Sequence, residues 1–126
     1  CDGGLLDKDD NLLKVDEDGY CQIDEHMFDK DALIIENRQA SKVSLCTPDK
    51  KPYLTVSFDA PLFGLWSPAG MGAPFICIEP WYGRCDRAGF AGELKDSWHR
   101  VRNLRSHIRL QLRCRFSCSQ CDLRLK

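Results

Sequence analysis

The chain has 126 residues, of which 43% are hydrophobic and 29% are charged, as in an ordinary folded domain. No run of about 18 apolar residues occurs, which excludes a typical transmembrane helix, and no membrane association is predicted. The net charge of −1 conceals a division, because residues 1–96 carry ten basic and eighteen acidic residues, whereas residues 97–126 carry eight basic residues and one acidic residue. This break predicts a domain over residues 1–96 and a basic tail, rich in Cys and Arg, over residues 97–126.

The chain contains eight cysteines, and their scattered positions do not indicate a disulfide framework. Cys77 lies within an apolar run, where a thiol packs as a small hydrophobic group. Reduced thiols in a cytoplasmic protein are therefore expected.

The first predicted feature in chain order is an acidic loop over residues 7–18. Asp7 and Asp9 have the spacing that opens a calcium-binding loop, but the sixth position is Leu12 rather than Gly and the twelfth is Asp18 rather than Glu. A solvated acidic loop is favoured, and no metal site is predicted.

Short strands are predicted after this loop. Apolar runs and alternating patterns place them at residues 32–36, 42–46, 53–58, 62–67 and 75–79. The turn-forming segment at residues 47–52, which contains two prolines, predicts that its flanking strands form an antiparallel hairpin. Short strands separated by turns rich in Pro and Gly indicate an all-β sandwich, although these strands are too few to close one.

Residues 73–83 read Ala-Pro-Phe-Ile-Cys-Ile-Glu-Pro-Trp-Tyr-Gly and carry the most functional information. The strand is predicted to end at Glu79, because Pro80 cannot donate to a sheet ladder. Trp81 and Tyr82 follow, and aromatic faces beside a carboxylate suit a sugar ring, whose C–H groups pack on the rings while its hydroxyls bond the oxygens. The structural alternative is a surface Glu at a strand end with two aromatic residues packed in the core.

The string Cys-Ile-Glu-Pro-Trp-Tyr-Gly resembles the aldose 1-epimerase (galactose mutarotase) superfamily, and specifically its LacX-like branch. Residues 31–37, 53–58 and 65–68 follow the same branch in the same order, so that the resemblance covers about residues 3–96. It implies a partial galactose-mutarotase-like β-sandwich (a supersandwich) that is truncated at its N-terminal side. Because the resemblance begins in mid-domain, truncation is favoured over a mature lipoprotein that starts at a lipidated Cys1.

The resemblance implies an isomerase that interconverts the α and β anomers of a free hexose by general acid–base ring opening, with no cofactor. Glu79 matches the general base. Asp31 stands where the superfamily often has an acid that bonds sugar hydroxyls, although a turn-forming Asp is an open alternative. Trp81, Tyr82 and Arg84 are predicted to bind the monosaccharide because they adjoin Glu79. A non-catalytic carbohydrate-binding protein of the same fold is the alternative function.

The superfamily's general acid is a histidine in a motif upstream of residue 1, so this chain alone is expected to be inactive. His26, His99 and His107 match no family motif, and exposed or packing roles are expected for them. The oligomeric state and the particular sugar are not predicted.

Nothing in the tail continues the resemblance beyond Asp96, and seven of the ten arginines lie there. An out-of-frame translation is favoured over a genuine basic extension. In either case residues 97–126 are expected to be disordered, or at least not to complete the sandwich. The tail's charge would allow non-specific nucleic-acid binding, but no recognition motif supports a specific partner.

Three cysteines of the tail, Cys114, Cys118 and Cys121, have the C-x3-C-x2-C spacing of iron–sulfur radical enzymes. With His107 they could instead supply four ligands to zinc. Such spacing arises easily by chance in a segment rich in cysteine, and no metal is predicted.

Overall fold

The computed structural model describes residues 4–93, residue 96 and the strands Arg109–Leu112 and Asp122–Leu125. Within these residues the chain forms eight strands and no α-helix, which confirms the all-β prediction. The strands are β1 Tyr20–Gln22, β2 Leu33–Ile35, β3 Lys42–Cys46, β4 Pro52–Ser57, β5 Leu62–Trp66, β6 Cys77–Trp81, β7 Arg109–Leu112 and β8 Asp122–Leu125. No helix in this described part is long and apolar enough to cross a membrane.

The described strands form two antiparallel sheets. A five-stranded sheet has the order β1-β8-β3-β4-β7, and a three-stranded sheet has the order β2-β5-β6. Strands β3 and β4 form the predicted hairpin, in which Val43 lies opposite Val56 and Leu45 opposite Leu54. Its turn is closed by the Lys50 amide, which donates to the Thr47 carbonyl at 2.8 Å.

Strand β6 extends two residues further than the sequence predicted. Pro80 lies opposite Phe63 and Trp81 lies opposite Leu62, so the prediction that Pro80 ends the pairing was wrong. The reason is that β6 is an edge strand of the three-stranded sheet. An edge strand pairs on one side only, and therefore tolerates a residue that lacks an amide hydrogen.

Two segments of the basic tail join the five-stranded sheet. Strand β7 pairs with β4, and β8 lies between β1 and β3. The expectation that residues 97–126 would be disordered or add nothing to the sandwich was therefore wrong for these two strands. Each is a four-residue alternation, Arg-Leu-Gln-Leu and Asp-Leu-Arg-Leu, which the overall charge of the tail obscured. Where the domain boundary lies stays a prediction.

The core lies between the two sheets and receives residues from both. Val43 and Leu45 of β3 and Val56 of β4 share one buried cluster with Phe63 and Leu65 of β5. Burial of each large apolar side chain stabilises the fold by about 1.5–3 kcal/mol. Two sheets that bury their facing side chains in one cluster form a β-sandwich arrangement.

The three-stranded sheet has two distinct faces, because successive side chains of a strand point to opposite sides and paired residues share a side. The register assigns Leu33, Ile35, Phe63, Leu65, Ile78 and Pro80 to its core face, and all of these except Pro80 belong to the buried cluster or pack against it. It assigns Ile34, Leu62, Gly64, Trp66, Cys77, Glu79 and Trp81 to the opposite side, which we call the cavity face. The candidate functional residues of β6 thus lie on the face turned away from the core.

Candidate functional site

A cavity of about 740 Å³ lies against the cavity face. Four residues of that face line it, namely Ile34, Trp66, Glu79 and Trp81. The segments before β2 and after β6 complete the wall. All five residues that the sequence singled out, Asp31, Glu79, Trp81, Tyr82 and Arg84, line this one cavity. Their functional roles stay predictions, but the structure does bring them together.

Glu79 is partly buried on β6 and lies directly opposite Gly64 of β5. Its neighbour on the same face is Cys77, two residues earlier on the strand. Burial raises the pKa of the Cys77 thiol, and the neighbouring Glu79 carboxylate raises that pKa further.

Two tryptophans give the cavity an aromatic wall. Trp81 leans along the sheet toward Gly64, and the Trp66 ring contacts Phe75 with 6.4 Å between ring centroids. Trp66 was not predicted as a site residue. It shares a face with Glu79 through the register of β5 and β6, which the sequence alone does not reveal.

Tyr82 joins the cavity wall to the core. Its ring packs against the buried cluster, and its hydroxyl donates a hydrogen bond to the Asp59 carbonyl at 2.9 Å. Because a hydroxyl oxygen has two lone pairs, it can still accept a hydrogen bond while its proton is engaged. Tyr82 is thus a rigid part of the wall with acceptor capacity.

Asp31 forms a turn, one of the two alternatives that the sequence left open, and it also lines the cavity. Its Oδ1 accepts the Ala32 amide at 2.7 Å, and its own amide donates to the Phe28 carbonyl at 3.0 Å. Its φ of 82° is unusual for a residue other than glycine. The side chain therefore stabilises a turn, and this turn fixes Asp31 in the cavity wall.

Arg84 lines the cavity, and the carboxylate of Glu36 holds its guanidinium in place. Its Nε forms an ion pair with Glu36, and its Nη1 donates to the Cys85 carbonyl at 2.8 Å. The other Glu36 oxygen lies 3.1 Å from Arg87, whose Nη2 also contacts Asp10 at 2.6 Å. The side chains of Arg84 and Glu36 are only 6% and 18% exposed, so the ion pair between them is shielded from water.

Glu36 is a structural partner that the sequence analysis did not assign to the site. It directly follows the apolar strand β2, as a polar residue at the edge of a sheet often does. Two features of the sequence indicated such a pairing. An acid follows β2, and two arginines follow β6. Which arginine it would meet depended on the tertiary structure.

None of the described lining residues is a histidine. His26 lies on an exposed turn, where its Nδ1 is 2.9 Å from Asp29 Oδ2. The Asp29 carboxylate raises the pKa of His26 through this hydrogen bond. The exposed role expected for His26 is consistent with this position, whereas His99 and His107 lie outside the described residues.

The described part of the chain holds no group of three or more side chains suited to bind a metal ion. Among its cysteines, Cys77 and Cys85 are free thiols. Three cysteines of the tail, Cys114, Cys118 and Cys121, lie outside the described residues. The structure therefore does not test whether they bind a metal.

Fold and site together define an all-β protein with a cavity that is lined by two carboxylates, Glu79 and Asp31, and by aromatic rings. Among curated proteins, the chain is 32% identical over 81 residues to Protein LacX, chromosomal, from Lactococcus lactis subsp. lactis. The match covers 64% of this chain and 27% of that protein, so the chain spans about a quarter of its relative's length. No protein-family model matches the chain, and no solved structure does.

Proposed function

We propose that the chain is part of a LacX-like member of the aldose 1-epimerase superfamily, which interconverts the α and β anomers of a free hexose. The similarity to LacX over 81 residues supports the family. The single observation that carries the proposal is the cavity itself, in which Glu79 shares one sheet face with Trp66 and Trp81. A carboxylate between aromatic surfaces fits a sugar ring and a proton transfer at its edge.

In the proposed reaction Glu79 accepts the proton of the C1 hydroxyl. The electron pair of the broken O–H bond forms the C1 carbonyl as the bond from C1 to the ring oxygen breaks, and an acid protonates that ring oxygen. Rotation about C1–C2 followed by the reverse steps closes the ring as the other anomer. The resemblance assigns the acid to a histidine upstream of residue 1, so we expect the 126-residue chain alone to bind a sugar without accelerating the reaction.

The remaining lining residues have binding roles in this proposal. The indole faces of Trp66 and Trp81 pack on the C–H face of the pyranose, and the carboxylate of Asp31 accepts hydrogen bonds from its hydroxyls. Arg84 supplies a fixed positive charge in the wall, which the ion pair with Glu36 holds in place. None of these roles needs a cofactor.

The test is polarimetry of freshly dissolved α-glucose and α-galactose with the longer protein that contains this chain. We expect the protein to accelerate mutarotation, Glu79→Gln to abolish most of the acceleration, and Glu25→Gln to leave it intact. Glu25 is a suitable control because its side chain is 86% exposed and it does not line the cavity. Full acceleration by Glu79→Gln would show that another group takes the proton.

A non-catalytic carbohydrate-binding protein is the second candidate. The described lining residues favour it in one respect, since they offer carboxylates and aromatic rings but no imidazole to act as the acid. Saturable binding of glucose or galactose by the longer protein, without any acceleration of mutarotation, would support this candidate over the enzyme.

A further inference from the structure

Gly64 lies in the middle of β5, is buried, and pairs on both sides, with Ile34 of β2 and with Glu79 of β6. A β-carbon built on it would stand 2.9 Å from Cζ2 of Trp81, 3.1 Å from Cη2 and 3.3 Å from Cε2. Real β-carbons essentially never come within 3.0 Å of such an atom, and the shortest of these distances is below that limit. The six-membered ring of the indole therefore occupies the space that a side chain at residue 64 would need.

The backbone does not explain this glycine. Gly64 is absent from the glycines with positive φ among the described residues, so an alanine could adopt its conformation. A glycine within a strand weakens the strand because it loses more conformational entropy on folding and has no side chain to pack. What the position requires is the absence of a β-carbon, and the group that requires it is Trp81.

We propose that Gly64 is a positioning residue for the candidate site. The space above it lets the indole of Trp81 lie against β5 beside Glu79, where it forms the aromatic surface on which an uncharged pyranose ring stacks. A methyl group at residue 64 turns the indole away from the sheet, and this removes the stacking surface. The identity of the ligand rests on the proposed function, whereas the packing of Trp81 on Gly64 does not.

The first experiment needs no sugar and compares tryptophan fluorescence, acrylamide quenching and near-ultraviolet circular dichroism of the 126-residue chain and its Gly64→Ala variant. We expect Gly64→Ala to change the spectra and to expose an indole to the quencher. Gly92→Ala is the matched control, since a β-carbon there would meet the Phe90 ring at 2.5 Å, but neither residue lines the cavity. Spectra of Gly64→Ala that equal those of the parent chain would overturn the proposal.

The second experiment assigns the effect to Trp81. In a Trp81→Ala background the added Gly64→Ala change is expected to leave the spectra unchanged and not to lower the melting temperature, since an alanine in a strand is at least as stable as a glycine once the clash is removed. If Gly64→Ala alone fails to fold while the double variant folds as well as Trp81→Ala, the contact is likewise supported. An equal loss of stability in both backgrounds would show that the glycine serves the strand and not the tryptophan.

The third experiment measures glucose and galactose binding by NMR titration. We expect Gly64→Ala to weaken the affinity by about three- to tenfold, as the loss of one aromatic stacking contact does, and to have no further effect in the Trp81→Ala background. Unchanged affinity in Gly64→Ala would contradict the positioning role. If the parent chain and the longer protein both bind neither sugar, the proposed function fails, while the spectroscopic comparison still decides the packing.

Discussion

The two faces of the three-stranded sheet are built from alternate residues of the same strands and carry different kinds of residue. The core face is apolar, and five of its residues, Leu33, Ile35, Phe63, Leu65 and Ile78, belong to the buried cluster or pack against it. The cavity face combines apolar residues such as Leu62 with a glycine, an acid and two tryptophans. Alternation along one strand therefore separates the residues that pack in the core from those with proposed functional roles.

The cavity face includes features that do not favour stability. Gly64 lies within a strand, where it has no side chain to pack, and Glu79 is an acid that is partly removed from water. Sequence features that cost stability concentrate at functional sites, where a requirement other than packing selects them. Their concentration here is an independent reason to regard this face as the site.

The sharpest test of the comparison uses two adjacent residues of β6 in the longer protein. Glu79→Gln is expected to lower kcat for mutarotation by about 10²–10⁴-fold, because it removes the proposed general base but keeps the shape of the side chain. Ile78→Ala should instead lower the melting temperature and leave kcat of the folded protein unchanged. If both variants lost the same activity and stability, the two faces would not be separable.

The next largest effect is expected on the core face. Leu65 is fully buried, so Leu65→Ala should lower the free energy of unfolding by about 2–5 kcal/mol through lost burial and the cavity left behind. Leu12→Ala is the matched control, since Leu12 is 97% exposed and should change the free energy by less than about 0.5 kcal/mol. Urea denaturation of the 126-residue chain measures both values, and equal effects would refute the assignment of the core.

Removal of the Glu36 carboxylate tests whether its ion pair with Arg84 stabilises the cavity wall. Glu36→Gln leaves two arginines without their shared carboxylate, and we expect a loss of about 1–3 kcal/mol in the free energy of unfolding, less than for a fully buried pair because Arg87 is partly exposed. Asp59→Asn removes the partner of the exposed Arg38 and should cost less than about 0.5 kcal/mol. Thermal and urea denaturation compare the two, and a neutral Glu36→Gln would show that the network does not support the wall.

The smallest expected effect is a shift in the pKa of the Cys77 thiol, which Glu79 raises. Because burial and Glu79 raise the pKa of Cys77 above its ordinary value of 9.0, the thiolate is less populated than in a free cysteine. The stability that comes from the protonated thiol is present below pH 9.0 and is lost as the pH rises through the higher pKa of the folded state. Glu79→Gln should bring the pKa of Cys77 closer to its ordinary value.

Iodoacetamide labelling followed by mass spectrometry at Cys77 measures this shift as a function of pH. The labelling profile should move to lower pH in Glu79→Gln and should not move in Glu25→Gln. A profile that is the same in all three proteins would mean that the carboxylate of Glu79 does not face the thiol.

The all-β class, the hairpin of β3 and β4, and the positions of most strands of the first 96 residues could be predicted from the sequence. It also singled out Glu79 and Trp81, because a carboxylate and an aromatic residue at the end of an apolar strand form a local pattern. Such patterns depend on residues that are close in the chain. They can therefore be recognised before the fold is known.

Contacts between residues that are distant in the chain could be known only from the tertiary structure. Pro80 stays within β6 because that strand lies at a sheet edge, and Glu36 meets Arg84 across 48 positions of the chain. Gly64 acquires its importance from a tryptophan on the neighbouring strand, and the tail segments β7 and β8 become strands by pairing with β4, β3 and β1. Each of these outcomes depends on strand order and register, which are set by contacts between distant segments and are not encoded in any local pattern.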